Sequence, residues 1–589
     1  MRAGLLRVVL TLLFVFTAFH PSSILAQSSA ASAAANAVPA NSGSSTQPKS
    51  ALQAGPSDKF AIPGCSQDSS KPSDADKALQ GRKYPDAERL YGAALQTDPT
   101  STVAMAGLVR TTLAEGKLAE ALAMAQKYDS AHANDAVLLD ALSEVRFRRG
   151  ETDESGNALN RSLHLNPCSG LTRYDLYRFL YLNGLYRRAQ TELERAYWLA
   201  PQNTTIAGRW RSSHAVPQTS EQRLASLKKM LDNPALPDPQ KDAINVAIKS
   251  IQTNEEGSCQ LVAPITETRL PIAPIPDNGS LEILNEAGLD VQINGKKKRL
   301  EIDTGASGLI LSNSAARSAG LTPELQIKTS GIGDNGPANA YVTHVNDIKI
   351  GKMEFKNCMV KVLAPNNMVE QTADMDGLIG MDVFRDYVVT LDYPGREVRL
   401  GPLPKSPDEA QARIVSLSSS GDEELPVSIA DSARDRYIAP EMKDWTPVFR
   451  SQHMLIFPTY IGKAPVKLFL MDSGSGMSII TPEAAKEVSV ITDSSNAKVQ
   501  GISGEVQKVK TAQRINLMFA NVMQTGRSMI TIDNSVMSRN VGVEISGIIG
   551  FPILRELVIS IDYRDNLVHV IYDPKKGYHA HNDNQPTDF

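Results

Sequence analysis

The stretch Leu300-Glu301-Ile302-Asp303-Thr304-Gly305-Ala306-Ser307 decides the fold, because it returns as Leu468-Phe469-Leu470-Met471-Asp472-Ser473-Gly474-Ser475-Gly476. In each copy an apolar, strand-like run delivers one carboxylate, then a small hydroxyl residue, then glycine. A single tripeptide of this kind marks an ordinary turn after a strand. Here the surrounding features also return in the same order. Ser312 and Thr481, each nine residues after its Asp, are helix N-cap candidates, and Pro482 follows the second. A glycine-rich hairpin, Gly331-Ile332-Gly333-Asp334-Asn335-Gly336, is matched by Gly501-Ile502-Ser503-Gly504. An apolar pair closed by glycine, Leu378-Ile379-Gly380 and Ile548-Ile549-Gly550, places its glycine 77 and 78 residues after the Asp. Val388-Val389-Thr390-Leu391-Asp392-Tyr393 is echoed by Val558-Ile559-Ser560-Ile561-Asp562-Tyr563. Two copies of one β-rich unit follow from this order.

Each unit resembles a retropepsin-type subunit of the bacterial retroviral-like aspartyl protease family. The Asp-Thr-Gly-Ala or Asp-Ser-Gly-Ser loop, the flap hairpin and the apolar-apolar-Gly segment carry the resemblance, over 279–404 and 448–574. The resemblance implies two all-β acid-protease units with Asp303 and Asp472 as the catalytic pair. Thr304, Gly305, Ser473 and Gly474 would support the loops, the two hydroxyls bonding across the interface. Gly331, Gly333, Gly336, Gly501 and Gly504 would belong to the flaps, and Gly380 and Gly550 would pack beside the catalytic loops.

The residue types suit the chemistry. Two carboxylates a hydrogen bond apart cannot both ionise, so one stays protonated while the other draws a proton from water. One unit supplies only one such Asp, so two units must face each other. Gly305 and Gly474 let backbone pass close to the pair. Flap glycines allow a hairpin to close over substrate. Ala306 stands where a hydroxyl residue could have bonded the carboxylate, which predicts a working range at mildly acidic to neutral pH. No cofactor or metal is expected, since the chain shows no His-Glu-x-x-His and no clustered cysteines. Gly331 to Gly336 also spells the dinucleotide fingerprint, but Pro337 and polar residues follow where a helix would have to start. His344 and His453 read as surface or satisfied core residues.

At 589 residues the chain exceeds a single core. A net charge of −4 gives no pointer to nucleic acid. Arg2 and Arg7 followed by the apolar run Val8 to Phe19 predict a signal peptide over 1–26, and hence an exported, periplasmic or secreted protein with no other membrane segment. Residues 27–70 are rich in Ala, Ser, Asn, Pro and Gln and read as a disordered tether. Over 71–252 the pattern is helical. Tyr84, Leu118, Thr152 and Tyr186 lie 34 apart, and Ala87, Ala121, Ser155 and Ala189 keep the step. This resembles tetratricopeptide repeats, whose helix pairs expose an apolar face until a neighbour stacks on it. Residues 220–252 read as the cap of that array. Such a domain implies a protein partner or a substrate-presenting surface, standing apart from β-units that fold without it. Residues 253–278 and 405–447 read as linkers, and 575–589 as a polar tail. Cys65, Cys168, Cys259 and Cys358 predict no disulfide framework and leave room for one bridge. Two functions fit: an exported aspartic endopeptidase acting on a peptide or protein substrate, or a non-catalytic repeat scaffold carrying remnant protease-like units.

Overall fold

The computed structural model describes most of residues 56–575, together with the backbone of 8–9 and 13–14. The rest of the first 55 residues, 408–433, 576–589 and parts of 215–219, 233–258, 276–285, 366–374 and 494–498 lie outside the described residues, as do a few single positions. The expected signal peptide, most of the tether and most of the second linker and tail fall there.

The helical region repeats with the expected period. Helices Tyr84–Thr97, Leu118–Ala131, Thr152–Leu165 and Tyr186–Leu199 start 34 residues apart. Their partners Thr102–Ala114, Ala136–Arg148, Gly170–Leu182 and Thr204–Ser213 do the same. Ser101, Asp135, Ser169 and Asn203 cap the second set, each side chain accepting from backbone N–H groups of the first turn. Ala87, Ala121, Ser155 and Ala189 are buried where helices cross. A helix at Ser220–Leu231 follows the array.

Part of the expected tether is instead docked. Asp68 N–H donates to the Leu199 carbonyl at 2.7 Å, Trp198 donates to Asp58, and a disulfide joins Cys65 to Cys168. A second disulfide joins Cys259 to Cys358. The four cysteines therefore form two bridges, one more than the sequence reading allowed. Connectivity between cysteines about a hundred residues apart is set by the fold and not by spacing.

The two β-units share one topology. In the first, the hairpin Glu286–Ile293 and Lys296–Ile302 leads to Asp303, and Gly377–Ile379 runs parallel to Lys296–Ile302 and antiparallel to Leu309–Leu311. In the second, Gly547–Gly550 runs parallel to Lys467–Asp472 and antiparallel to Ile479–Ile480. Between them, Tyr387–Asp392 and Leu557–Asp562 pair antiparallel at the centre of a six-stranded sheet built from both units. Thr390 and Ser560 are direct partners there, with hydroxyls 2.9 Å apart. The echoed segments thus meet on a pseudo-two-fold axis. The expected linker 253–278 is not a free connection. Gln260–Leu261, Thr268–Pro271 and Ala273–Ile275 all pair with strands of the first unit, so that unit begins earlier than 279.

The repeats pack onto the second unit. Phe147 and Leu182 share an apolar cluster with Met454, Leu468 and Val543. Glu544 N–H donates to the Arg148 carbonyl at 2.8 Å. From the second expected linker, Arg436 N–H donates to the Gly184 carbonyl and Arg434 accepts from Arg187 N–H. The repeat domain is therefore not the separate body read from the sequence.

Candidate active site

Asp303 and Asp472 end equivalent strands and are completely buried. The strand end before Asp303 is held by its own N–H, which donates to the Ile379 carbonyl at 3.0 Å. The loops after the two carboxylates are cross-linked. Thr304 Oγ1 donates to the Met471 carbonyl and accepts from Ser473 N–H, both at 3.0 Å. Ser473 Oγ donates to the Ile302 carbonyl at 2.8 Å and accepts from Thr304 N–H at 3.0 Å. Each hydroxyl both donates and accepts across the unit boundary, so Ser in place of Thr costs no bond. The four bonds draw both carboxyls to the axis.

Gly305 N–H donates to Asp303 Oδ1 at 2.8 Å, and Gly474 N–H donates to Asp472 Oδ1 at 2.9 Å. Both Oδ2 atoms receive no N–H or O–H donor from the described residues, and the two carboxyls interact directly. One proton can be held between them. A Cβ on Gly305 would lie 2.8 Å from the Asp472 carboxyl carbon, so this glycine is required by close approach. Gly305→Ala is expected to lower turnover by about 10²-fold with little change in KM, as an ångström-scale displacement does. Steady-state kinetics on a peptide substrate would check it.

Burial pushes Asp303 up to about 7, with the Gly305 amide and Asp472 acting against it. Burial and then the Asp303 charge hold Asp472 well above the usual carboxylate range. Desolvation, rather than the missing hydroxyl at Ala306, is the main cause. Ala306 N–H in fact adds a bond that lowers the Asp303 value. The singly protonated pair forms as pH rises through about 7 and is lost when the second proton leaves. Activity is therefore expected to follow a bell whose acidic limb lies near neutral pH. A kcat/KM profile with its limb below pH 5 would overturn this.

The flap glycines sit at a closed contact between the two hairpins. Gly331 N–H donates to Ser503 Oγ, Ser503 N–H to the Ile332 carbonyl, and Asn335 N–H to the Ser503 carbonyl. Gly333 and Gly504 take positive φ of 133° and 93°, and side chains there would strike Ser503 and Asn335 respectively. A side chain on Gly501 would strike the Ile332 carbonyl. Gly336, at φ 74°, turns in open space. Ile332 packs among residues of the second unit and Ile502 among residues of the first. Gly380 lies against the Ala306 carbonyl and Gly550 against the Met477 carbonyl, so both pack behind the catalytic loops.

Sequence reading missed several residues around these loops. Asp382 accepts from Ser307 Oγ at 2.8 Å and Gly308 N–H at 2.9 Å, bracing the first loop. The matching position in the second copy, two residues after Gly550, is Pro552, so comparing the copies hides it. Tyr393 is buried beside the pair, and burial drives its phenol far above the usual range. No group of three or more His, Cys, Asp or Glu side chains arranged to hold a metal occurs among the described residues.

Residues 289–383 match the aspartyl protease family and residues 78–145 match the tetratricopeptide repeat family. The first β-unit is thus similar to aspartyl proteases and the helical region to tetratricopeptide repeats. It is 30% identical over 115 residues to the UBA domain-containing protein Mud1 of Schizosaccharomyces pombe, covering 19% of this chain and 32% of Mud1. The chain thus spans about a third of that relative's length. Among solved structures, a retropepsin-like aspartic protease from Rickettsia conorii matches 24% of this chain and 92% of its own, at 21% identity and TM-score 0.17. The aspartic proteinase of Irpex lacteus matches 52% of this chain and 98% of its own, at 9% identity and TM-score 0.29.

Proposed function

We propose that this chain is an exported aspartic endopeptidase whose single active site is assembled from both of its β-units. The observation that carries the reading is the cross-bonded pair of loops, which brings two buried carboxyls together at the unit boundary. In the free enzyme the pair holds one proton between its two carboxyls, both of which burial raises. The ionised carboxyl acts as the base toward water, and the protonated one donates to the scissile carbonyl oxygen. The carboxyl that took the water proton then passes it to the leaving nitrogen as the C–N bond breaks, and a gem-diol hydroxyl returns a proton to its partner, restoring the singly protonated pair. The flaps must part for a peptide to reach the pair, and then close over it to exclude water. Disulfides persist in oxidising compartments, which supports export. The repeats present a helical surface suited to holding a protein partner or substrate.

A cleavage assay with the purified mature chain, with and without pepstatin, tests the reading. Pepstatin-sensitive hydrolysis is expected; a folded chain inert toward peptide libraries across pH 4–9 would favour the scaffold reading. Both halves of the site lie on one chain, so mixing Asp303→Asn with Asp472→Asn protein is expected to restore no activity. Recovery in the mixture would place the pair between two chains.

A further inference from the structure

Gly305 touches both carboxyls. Its N–H donates to Asp303 Oδ1, and a Cβ in its place would lie 2.8 Å from the Asp472 carboxyl carbon. Its remaining polar group, the carbonyl, meets a side chain from the other unit. His453 Nε2 lies 3.0 Å from the Gly305 oxygen, across 148 residues of sequence, and the imidazole is almost wholly buried. A carbonyl only accepts, so Nε2 must carry the proton. Neutral imidazole with its proton on Nε2 and imidazolium both meet that need.

The histidine is held as firmly as the group it contacts. It occupies a two-residue turn with Gln452 between strands Phe449–Ser451 and Met454–Ile461, in which Ser451 and Met454 are direct partners. Gln452 takes the left-handed conformation, at φ 54°. Arg450 fixes the turn by donating to the Gln452 carbonyl at 2.5 Å and to the Tyr563 carbonyl at 2.7 Å. Met454 and Phe449 are buried on either side. A ring anchored in this way resists rotation of the Gly305 peptide. That peptide sets the direction of the N–H that bonds Asp303.

We propose that His453 is a positioning residue for the dyad, clamping the first catalytic loop from the second unit through the Gly305 carbonyl. It is assigned no part in proton transfer. Its effect runs through the Gly305 peptide: without the clamp, the N–H···Asp303 bond loosens and the two carboxyls lose their relative placement. This inference rests on the endopeptidase reading for its kinetic consequence, but not for its geometric one.

The test compares His453→Leu with His453→Gln, whose amide N–H can reach the same oxygen. In His453→Leu, kcat is expected to fall 10- to 100-fold with KM changed less than about threefold, the pattern of lost alignment. His453→Gln is expected to recover to within about threefold of the parent. Loss of the amide bond also removes a donor from charged Asp303. Titration of 13C-labelled aspartate, followed by NMR, should therefore show the lower dyad step moving to higher pH in His453→Leu and returning in His453→Gln. That titration needs no turnover. If the parent proves inactive the endopeptidase reading fails, while an unchanged titration in a folded His453→Leu overturns the clamp. Equal kinetic losses in both variants would also overturn it. If His453→Leu does not fold, His453→Gln decides: parent-like kinetics and titration support the clamp, and a loss in either overturns it.

Discussion

Asp303→Asn and Asp472→Asn are each expected to reduce peptide cleavage by about 10²- to 10⁴-fold, the range seen when an acid or base is removed from a proton-transfer step. Neither loss should come from unfolding. An Asn side-chain oxygen can still accept the Gly305 or Gly474 amide, and the cross-loop bonds of Thr304 and Ser473 do not involve the carboxyls. The sign of the stability effect separates chemistry from folding. Burial raises Asp303 from 3.8 to about 7, so between those values the folded chain binds more protons than the unfolded one. The carboxyl's contribution to stability is present in full below 3.8 and is lost as pH rises through about 7. Asn carries no charge to bury. At pH 8 the Asp303→Asn chain should melt at or above the parent temperature while cleaving nothing measurable. A variant that loses activity and melts well below the parent would instead mean that the carboxyl is structural.

The order of features after Asp303 and Asp472 made the β-architecture legible, because topology in a duplicated unit forces the same residues to recur. The pairing of the two buried carboxyls was legible for the same reason. The helical period is marked at further positions as well. Arg82, Gly116, Gly150 and Gly184 also lie 34 apart, all at positive φ in the turn before a helix, and Ser101, Asp135, Ser169 and Asn203 mark the caps. What the sequence hides are contacts that break the internal symmetry. Asp382 faces Pro552 in the alignment of copies, and His453 sits in a two-residue turn with no periodic signal. The docking of the repeats depends on residues hundreds of positions apart. One clue was in view: Lys467 interrupts the apolar run Val466-Lys467-Leu468-Phe469-Leu470, and a lysine in a buried strand needs an anion.

That anion comes from the repeat domain, which makes Glu151→Ala the most damaging change expected outside the dyad. Lys467 opens the strand that ends at Asp472 and is 1% exposed. Its ammonium is 3.1 Å from Glu151 and 3.0 Å from Glu487. Arg149 bonds the same two carboxylates at 2.8 Å each, and Arg146 reaches Glu151 at 2.9 Å. Glu151 therefore stands among three cations, of which Lys467 is the most deeply buried. Burial acts to raise its pKa, but Lys467 and Arg149 more than offset this and hold it below the usual range. Nearby Glu544 is pushed by burial up to about 7, so it is a poor substitute at neutral pH. Removing one partner of a buried ion pair typically costs about 3–5 kcal/mol, and Glu487, which stays beside Lys467 and Arg149, places the loss toward the lower end. Glu151→Ala should lower the chain's unfolding free energy by that order. Lys467→Met should cost less, since it removes the buried charge itself. The double mutant should recover part of the Glu151→Ala loss, with a coupling above about 1 kcal/mol. The effect is pH-dependent with a fixed sign. Because the folded pKa of Glu151 is depressed, its contribution is present above 4.5 and disappears as acid protonates it. Chains lacking 71–252 would expose Leu468, Met454 and Val543 as well as Lys467, and are expected to lose the fold of the second unit together with catalysis. A soluble truncated chain that melts cooperatively and cleaves peptide like the parent would show that the repeats merely rest on the protease.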